Sequence, residues 1–538
     1  MRKYLYIYAK EYEYQTKWNK VYIADEGSYK KGDYIFVAYE GKDEPMIVME
    51  DVLCEEDQVP YPVEKMEKVK RASTRKEYLE YNKKSISRYI LSNLDGNEQL
   101  PKDFSLNCFV KNNYKSLKFV DGALDGITYL FTNYEEKTNV TKMICKLLME
   151  KKDPEKLVKK FDRKLKKEYV CTSLNSFDTF LENNGKNIGP GYLFKLANKM
   201  VFDAKNTETV KLGLCILSHF DLYEMDKDFD MVLLDELNKM AICEEFSYYV
   251  SLYIYPRYKN TNELRFNAVK KVNGWGRVFL IDKIKFDTQD KKEWLFEEGY
   301  KNYVDNGYTA TYILSLLDIK EIINRSKNNK EDFVNISNIL NDSMSSVVTT
   351  IDELSNYAEI FDEYLSLKDV YFDDLLFYNT VKNIYEFKKE KHKKALEILE
   401  SEECYNFLKD KMKVGDRGYC LNIIRSLKDY KYKEIVLDIF RENPVKNWLY
   451  LRFLLENDET KEEAIKILSE DIDLDGKTSE KDYVEFLNCL KGYPLLALVY
   501  IKKAFELDNS FIAKEAKLLL KDWKKQGVKL PKELKKHL

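Results

Sequence analysis

The stretch VTKMICKLL, residues 140–148, decides the fold class. Val140, Ile144, Leu147 and Leu148, joined by Met143, fall on one side of a helix, and Lys142 and Lys146 fall on the other. The same period returns near the end of the chain in Ile512, Ala516, Leu519, Leu520 and Trp523. Helical runs recur between the two, parted by short polar breaks. Toward the C-terminus the breaks fall near Gly415–Gly418, Glu442–Pro444, Glu456–Thr460, Asp471–Asp482, Lys491–Pro494 and Leu507–Ser510. Each interval holds one helix, so a two-helix unit returns about every 30–40 residues, which is HEAT- or TPR-like spacing. The fixed Trp, Leu-Gly and Tyr of a TPR are absent. One such hairpin cannot bury its apolar side alone, and stacking on neighbours makes a continuous core. The expected fold is therefore mainly α: a HEAT-like α-solenoid, a right-handed helical array, carrying a small N-terminal β-rich domain.

Working outward, residues 1–62 change character. RKYLYIYAK, WNKVYIAD, DYIFVAYEG and PMIVMEDVL are short and rich in Tyr, Ile and Val, and turn signals centred on Gly27, Gly32 and Gly41 part the last three. Four strands are predicted, forming a small sheet or half-open barrel. Residues 63–122 read as a mixed connector, with a helix over about 74–94 and two weaker strand candidates, FSLNCFV (104–110) and SLKFV (116–120). A helical array is expected over 123–340 and a C-terminal helical-repeat array over 341–538. The Ser/Thr-rich Ser343–Thr350 marks the seam.

Composition agrees. The chain has 538 residues, too many for one compact core. Glycine and proline number only 19 and 10, and no proline stands between Pro256 and Pro444, which favours helix. The net charge of −3 offers no global basic field and speaks against nucleic acid. Nine cysteines include no CxxC pair, and several sit in apolar runs such as Leu214-Cys215-Ile216-Leu217, the pattern of reduced, buried thiols in the cytoplasm. No segment approaches 18 apolar residues, so no membrane span is expected.

The sharpest local signal for chemistry is DIDLDGKTSEKD, 471–482. Asp471, Asp473 and Asp475 stand at positions 1, 3 and 5 of a calcium loop, Gly476 at the sharp turn of position 6, and Asp482 at position 12. The closing Asp resembles the calcium loops of dockerin repeats. Thr478 replaces the usual β-branched aliphatic at position 8. The four aspartates form the candidate metal set for Ca²⁺; the competing reading is an acidic solvated turn between two helices.

VNGWGRVFLIDKI (272–284) lacks the strand and third glycine of a dinucleotide fingerprint. It reads as a tight turn between helices, with Trp275 and Trp294 in the core; the alternative is a groove carrying Arg277. In DGALDGI (121–127), Asp121 and Asp125 form either a carboxylate pair or helix-start residues. His219, His392 and His537 are the three histidines and lie far apart in sequence. No nucleophile elbow, P-loop or zinc-protease motif occurs, and no catalytic or cofactor-binding residue emerges. The lysine runs at 151–167 and 388–394 read as solvated helix faces.

DGALDGI, VKLGLCILSHFD (210–221), AVKKVNGWGRVFLIDKI (268–284) and WLFEEGYKN (294–302) together resemble a family of bacterial helical proteins often labelled "limonene hydroxylase". The resemblance covers about residues 100–320 and implies an NAD(P)H-dependent oxidoreductase or monooxygenase acting on a terpene. No residue matches a nicotinamide, flavin or haem site, so none is carried over. The expectation from the residues themselves is a non-enzymatic scaffold that binds a protein partner on a solenoid surface, with a calcium-responsive binding protein as a further alternative.

Overall fold

The computed structural model describes residues 3–10, 20–25, 27–39, 42–55, 58, 60–109, 119–131, 138–229, 231–387, 392–414, 417–427, 432–456, 458–469, 479–507 and 509–538. It is mainly helical, with a small antiparallel sheet at the N-terminus. Two compact units divide the chain: residues 1–317 with 345–350, and residues 318–344 with 351–538.

In the first unit the sheet order is β2-β1-β4-β3-β5, with β1 Lys3–Lys10, β2 Lys20–Ala24, β3 Tyr34–Tyr39, β4 Lys42–Glu55 and β5 Arg71–Ser73. The first four are the strands expected from their richness in Tyr, Ile and Val and the turn signals around them. Leu5, Ile7 and Ala9 of β1 meet Tyr22, Ile35, Val37, Met46 and Val48 in one apolar core, because residues two apart share a face. β4 is long enough to pair with β1 through its second half and with β3 through its first. Residues 67–69 exchange hydrogen bonds with Ile23 of β2, and β5, immediately after, pairs with β3. The connector thus meets both borders of the sheet and curls it toward closure. Over its described residues, 104–109, FSLNCFV is not a strand: Leu106–Cys108 forms a 3₁₀ turn started by Ser105, whose Oγ accepts from the Asn107 N–H. Of SLKFV, only Phe119 and Val120 are described, and they lie outside any strand.

The helices that build the site in this unit are α1 Ala123–Leu130, α2 Pro190–Asp203, α3 Thr207–Leu217, α4 Glu244–Tyr249 and α5 Gly274–Lys283. α3 is buried along its whole length. It packs so closely on α2 that a Cβ on Gly213 would stand 2.8 Å from the Cβ of Met200. Residues 345–350 close onto this unit, Thr311 Oγ1 donating to the Thr349 carbonyl at 2.6 Å and Ser346 Oγ to that of Gly307 at 2.9 Å.

The second unit is helical throughout its described residues. Before the short terminal helix Lys532–Lys535 it holds α6 Arg417–Leu427, α7 Lys433–Glu442, α8 Trp448–Glu456, α9 Asp458–Ser469, α10 Glu480–Cys489, α11 Pro494–Glu506 and α12 Ser510–Lys525. Alternate members pack on each other: α6 on α8, α8 on α10 and α10 on α12 in one row, and α7 on α9 and α9 on α11 in the other. Each amphipathic helix turns its apolar stripe between the rows, as Ile512, Ala516, Leu519, Leu520 and Trp523 of α12 do. Among the described residues, no helix is long and apolar enough to cross a membrane.

Candidate functional site

Three segments distant in sequence meet around one buried lysine. Lys211 of α3 is 4% exposed, and its ammonium lies 2.8 Å from Asp125 Oδ2 of α1, 3.1 Å from Glu208 Oε1 of α3 and 2.7 Å from Glu245 Oε1 of α4. An ammonium has three N–H donors, so it is satisfied in full. The second oxygen of each carboxylate is also taken. Asp125 accepts from the Tyr249 hydroxyl at 2.8 Å, Glu208 from the Val170 N–H at 2.7 Å and Glu245 from the Gly122 N–H at 2.8 Å. Burial alone would lower the lysine pKa, but the three carboxylates more than reverse this and hold it well above its ordinary value. Burial raises Glu208 and pushes Glu245 up to about 7, in each case against the pull of Lys211.

Glycines make room for the hub. Gly122 starts α1 at φ +72, where its N–H reaches Glu245 and a Cβ would lie 2.9 Å from the Glu244 carbonyl oxygen. One turn later, a Cβ on Gly126 would stand 2.1 Å from Trp275 Cε3. Trp275 is buried and enters α5 after Asn273, whose Oδ1 accepts the Gly274 N–H at 2.7 Å. Trp294 is only partly buried, because it lies at the rim, against Phe266. Arg277 lines no open groove. Its guanidinium donates to the carbonyls of Val272 at 3.0 Å, Glu298 at 3.1 Å and Lys301 at 2.5 Å, closing the end of the π-helical turn Leu295–Gly299.

Beside the hub, Glu244 takes a hydrogen bond from the Tyr303 hydroxyl at 2.5 Å. Burial lifts its pKa to about 7, Asp121 adds to the rise, and Tyr303, Arg277 and the Trp275 N–H oppose it. Asp121 and Asp125 therefore do not act as a pair: Asp125 belongs to the hub, and Asp121 faces Glu244. Of the sequence-level candidates, the structure brings together DGALDGI, Lys211 of VKLGLCILSHFD and the Gly-Trp-Gly-Arg block. Glu208 and Glu245 were not singled out by sequence reasoning; the one available signal was a lysine set between Val210 and Leu212 in an apolar run.

No family model, no curated protein and no solved structure matches the chain.

Asp471, Asp473 and Asp475 lie outside the described residues. Asp482 is described, in the first turn of α10. Its Oδ2 accepts from Ser479 Oγ at 2.7 Å and its Oδ1 from the Trp448 indole N–H at 3.2 Å, so it ties α10 to α8, while Ser479 caps α10 by accepting the Asp482 N–H at 3.1 Å. Among the described residues, no three His, Cys, Asp or Glu converge as a metal site. His219 pairs with Asp178 at 3.1 Å on a half-exposed surface.

The second unit places its charge differently. A groove of about 410 Å³ opens on the row α6, α8 and α10, lined by Trp448, Leu455 and Tyr493 and by the charged Arg425, Arg452, Glu456 and Glu485. Arg425, Lys481, Lys514, Lys521 and Lys525 are exposed on this row, and among the described residues none of them forms an ion pair. The opposite row is acidic, and its carboxylates are partly engaged: Arg441 pairs with Asp438 and Glu463, and Lys433 with Glu459.

Proposed function

We propose that the chain is a non-enzymatic protein-binding scaffold whose C-terminal unit is a HEAT-like solenoid. The observation that carries this reading is the alternate-helix packing of α6 to α12, with an open groove on one row. Two rows built from successive antiparallel helices are how such arrays present an extended binding surface. The buried hub supports the same reading from the other side. Every oxygen around Lys211 already has a protein donor, so the cluster locks helices together and leaves no group free for a substrate. The described cysteines are all free thiols, which suits the reducing cytoplasm. The test is affinity capture with the full chain from native lysate, followed by mass spectrometry of co-purified proteins and small molecules. A recurring protein partner without a cofactor is expected. A bound nicotinamide, flavin or haem with no protein partner overturns the scaffold and restores the oxidoreductase that the resemblance implies.

A further inference from the structure

We infer that the basic row of the C-terminal unit, formed by α6, α8, α10 and α12, receives an acidic amphipathic helix from a partner protein. The inference rests on the scaffold reading and names the chemistry of its partner.

The most basic helix of the row is α12. Phe511, Lys514, Leu518, Lys521 and Lys525 all lie on one side of this helix, opposite the buried Ile512, Leu519 and Leu520 stripe. Phe511 is 49% exposed and Leu518 46%, so neither is committed to the core. Two apolar groups two turns apart, flanked by cations, match the spacing of one stripe on a docking helix. Lys481 and Arg425 add cations farther along the row, where Glu456 and Glu485 also stand, so the positive charge is densest on α12; the groove against Trp448 and Tyr493 supplies a place for an apolar anchor.

Charge selects among occupants. An acidic helix meets unpaired cations along the row, which favours fast and specific encounter. The acidic row of a second copy fits less well, because Asp438, Glu459 and Glu463 are already paired with Arg441 and Lys433.

The experiment uses the full chain and two fluorescently labelled synthetic helices of about 20 residues, long enough to span roughly 30 Å. Both carry leucines at i, i+4 and i+7; one is flanked by Glu, the other by Lys. Polarisation should show binding of the Glu-flanked helix alone, weakening as salt is raised. Lys514→Glu with Lys521→Glu should weaken it by about tenfold or more, and Phe511→Ser with Leu518→Ser likewise, while circular dichroism stays that of the parent. The charge-reversed variant should in turn gain the Lys-flanked helix. Failure to bind the Glu-flanked helix, or binding that both double variants leave untouched, overturns the proposal. So does loss in these variants of self-association measured by light scattering, or of sedimentation with phosphatidylserine vesicles, if the Glu-flanked helix does not compete. A protein partner captured from lysate and retained by both double variants rejects this surface and leaves the scaffold standing; absence of any captured partner with a bound redox cofactor rejects the scaffold itself.

Discussion

Both units are rich in Lys, Asp and Glu, yet they use them in opposite ways. In the first unit Lys211 and its three carboxylates are buried and answer one another to the last hydrogen bond. In the second, the charges of α6 to α12 stand in water: some pair loosely, as Arg441 and Arg452 do, while Lys514, Lys521 and Lys525 of α12 form no ion pair among the described residues. The difference teaches where chemistry is available. A buried ion set must be self-satisfied or it costs the fold several kcal/mol, so its completeness marks it as structural. An exposed cation adds little to stability whether paired or not, so the unpaired lysines of α12 are free to face a partner.

Breaking the hub should give the largest effect. Lys211→Met leaves three carboxylates buried without their cation and should destabilise the first unit by about 3–5 kcal/mol, read as a fall in its urea midpoint within the full chain. Gly126→Ala comes next. The added methyl must displace the Trp275 ring, at a cost of about 1–3 kcal/mol, with a change in tryptophan fluorescence that a surface glycine substitution would not produce.

The pH dependence sharpens the contrast. Glu244 and Glu245 titrate near 7 in the folded protein, above the ordinary carboxylate value. A raised folded pKa means that the stability they contribute is full below the unfolded value and is lost as pH rises through about 7. The melting temperature of the first unit should therefore fall between pH 5 and 8. Glu244→Gln, which keeps an acceptor for Tyr303, should flatten that fall and stabilise by about 1 kcal/mol at pH 8; an unchanged slope would refute the assignment. The smallest effect belongs to the second unit. Arg441→Ala breaks two exposed ion pairs and should shift stability by less than about 1 kcal/mol. A larger loss on urea titration would erase the distinction between the units.

The period of apolar residues carried most of the architecture. The 3.6-residue stripe of Thr138–Met149 was legible because the helix shows one face to the core, and β1 because Tyr, Leu and Ile crowd a short segment that is buried on both faces at Leu5, Tyr6 and Ile7. β5 was not legible: Arg71–Ser73 is three residues long and polar, and it pairs because the connector is led there by the bonds to Ile23. FSLNCFV looked like a strand because its apolar residues alternate, but Ser105 starts a turn that breaks the extension. The hub was hidden for a different reason. Asp125, Lys211 and Glu245 are joined only by tertiary packing, and a carboxylate bound for the interior is written with the same letter as one bound for solvent. Lys211 betrayed itself only by its apolar neighbours.

The curl of the N-terminal sheet has a consequence for how the chain behaves in company. A sheet border is a row of unspent amide and carbonyl groups, and it templates the addition of any extended segment that drifts past. Here residues 67–69 bond to Ile23 of β2 and β5 covers Tyr34–Phe36 of β3, so the chain's own backbone occupies part of each border. A strand from another copy has that much less edge to start on, and crowding many copies together should leave this module single.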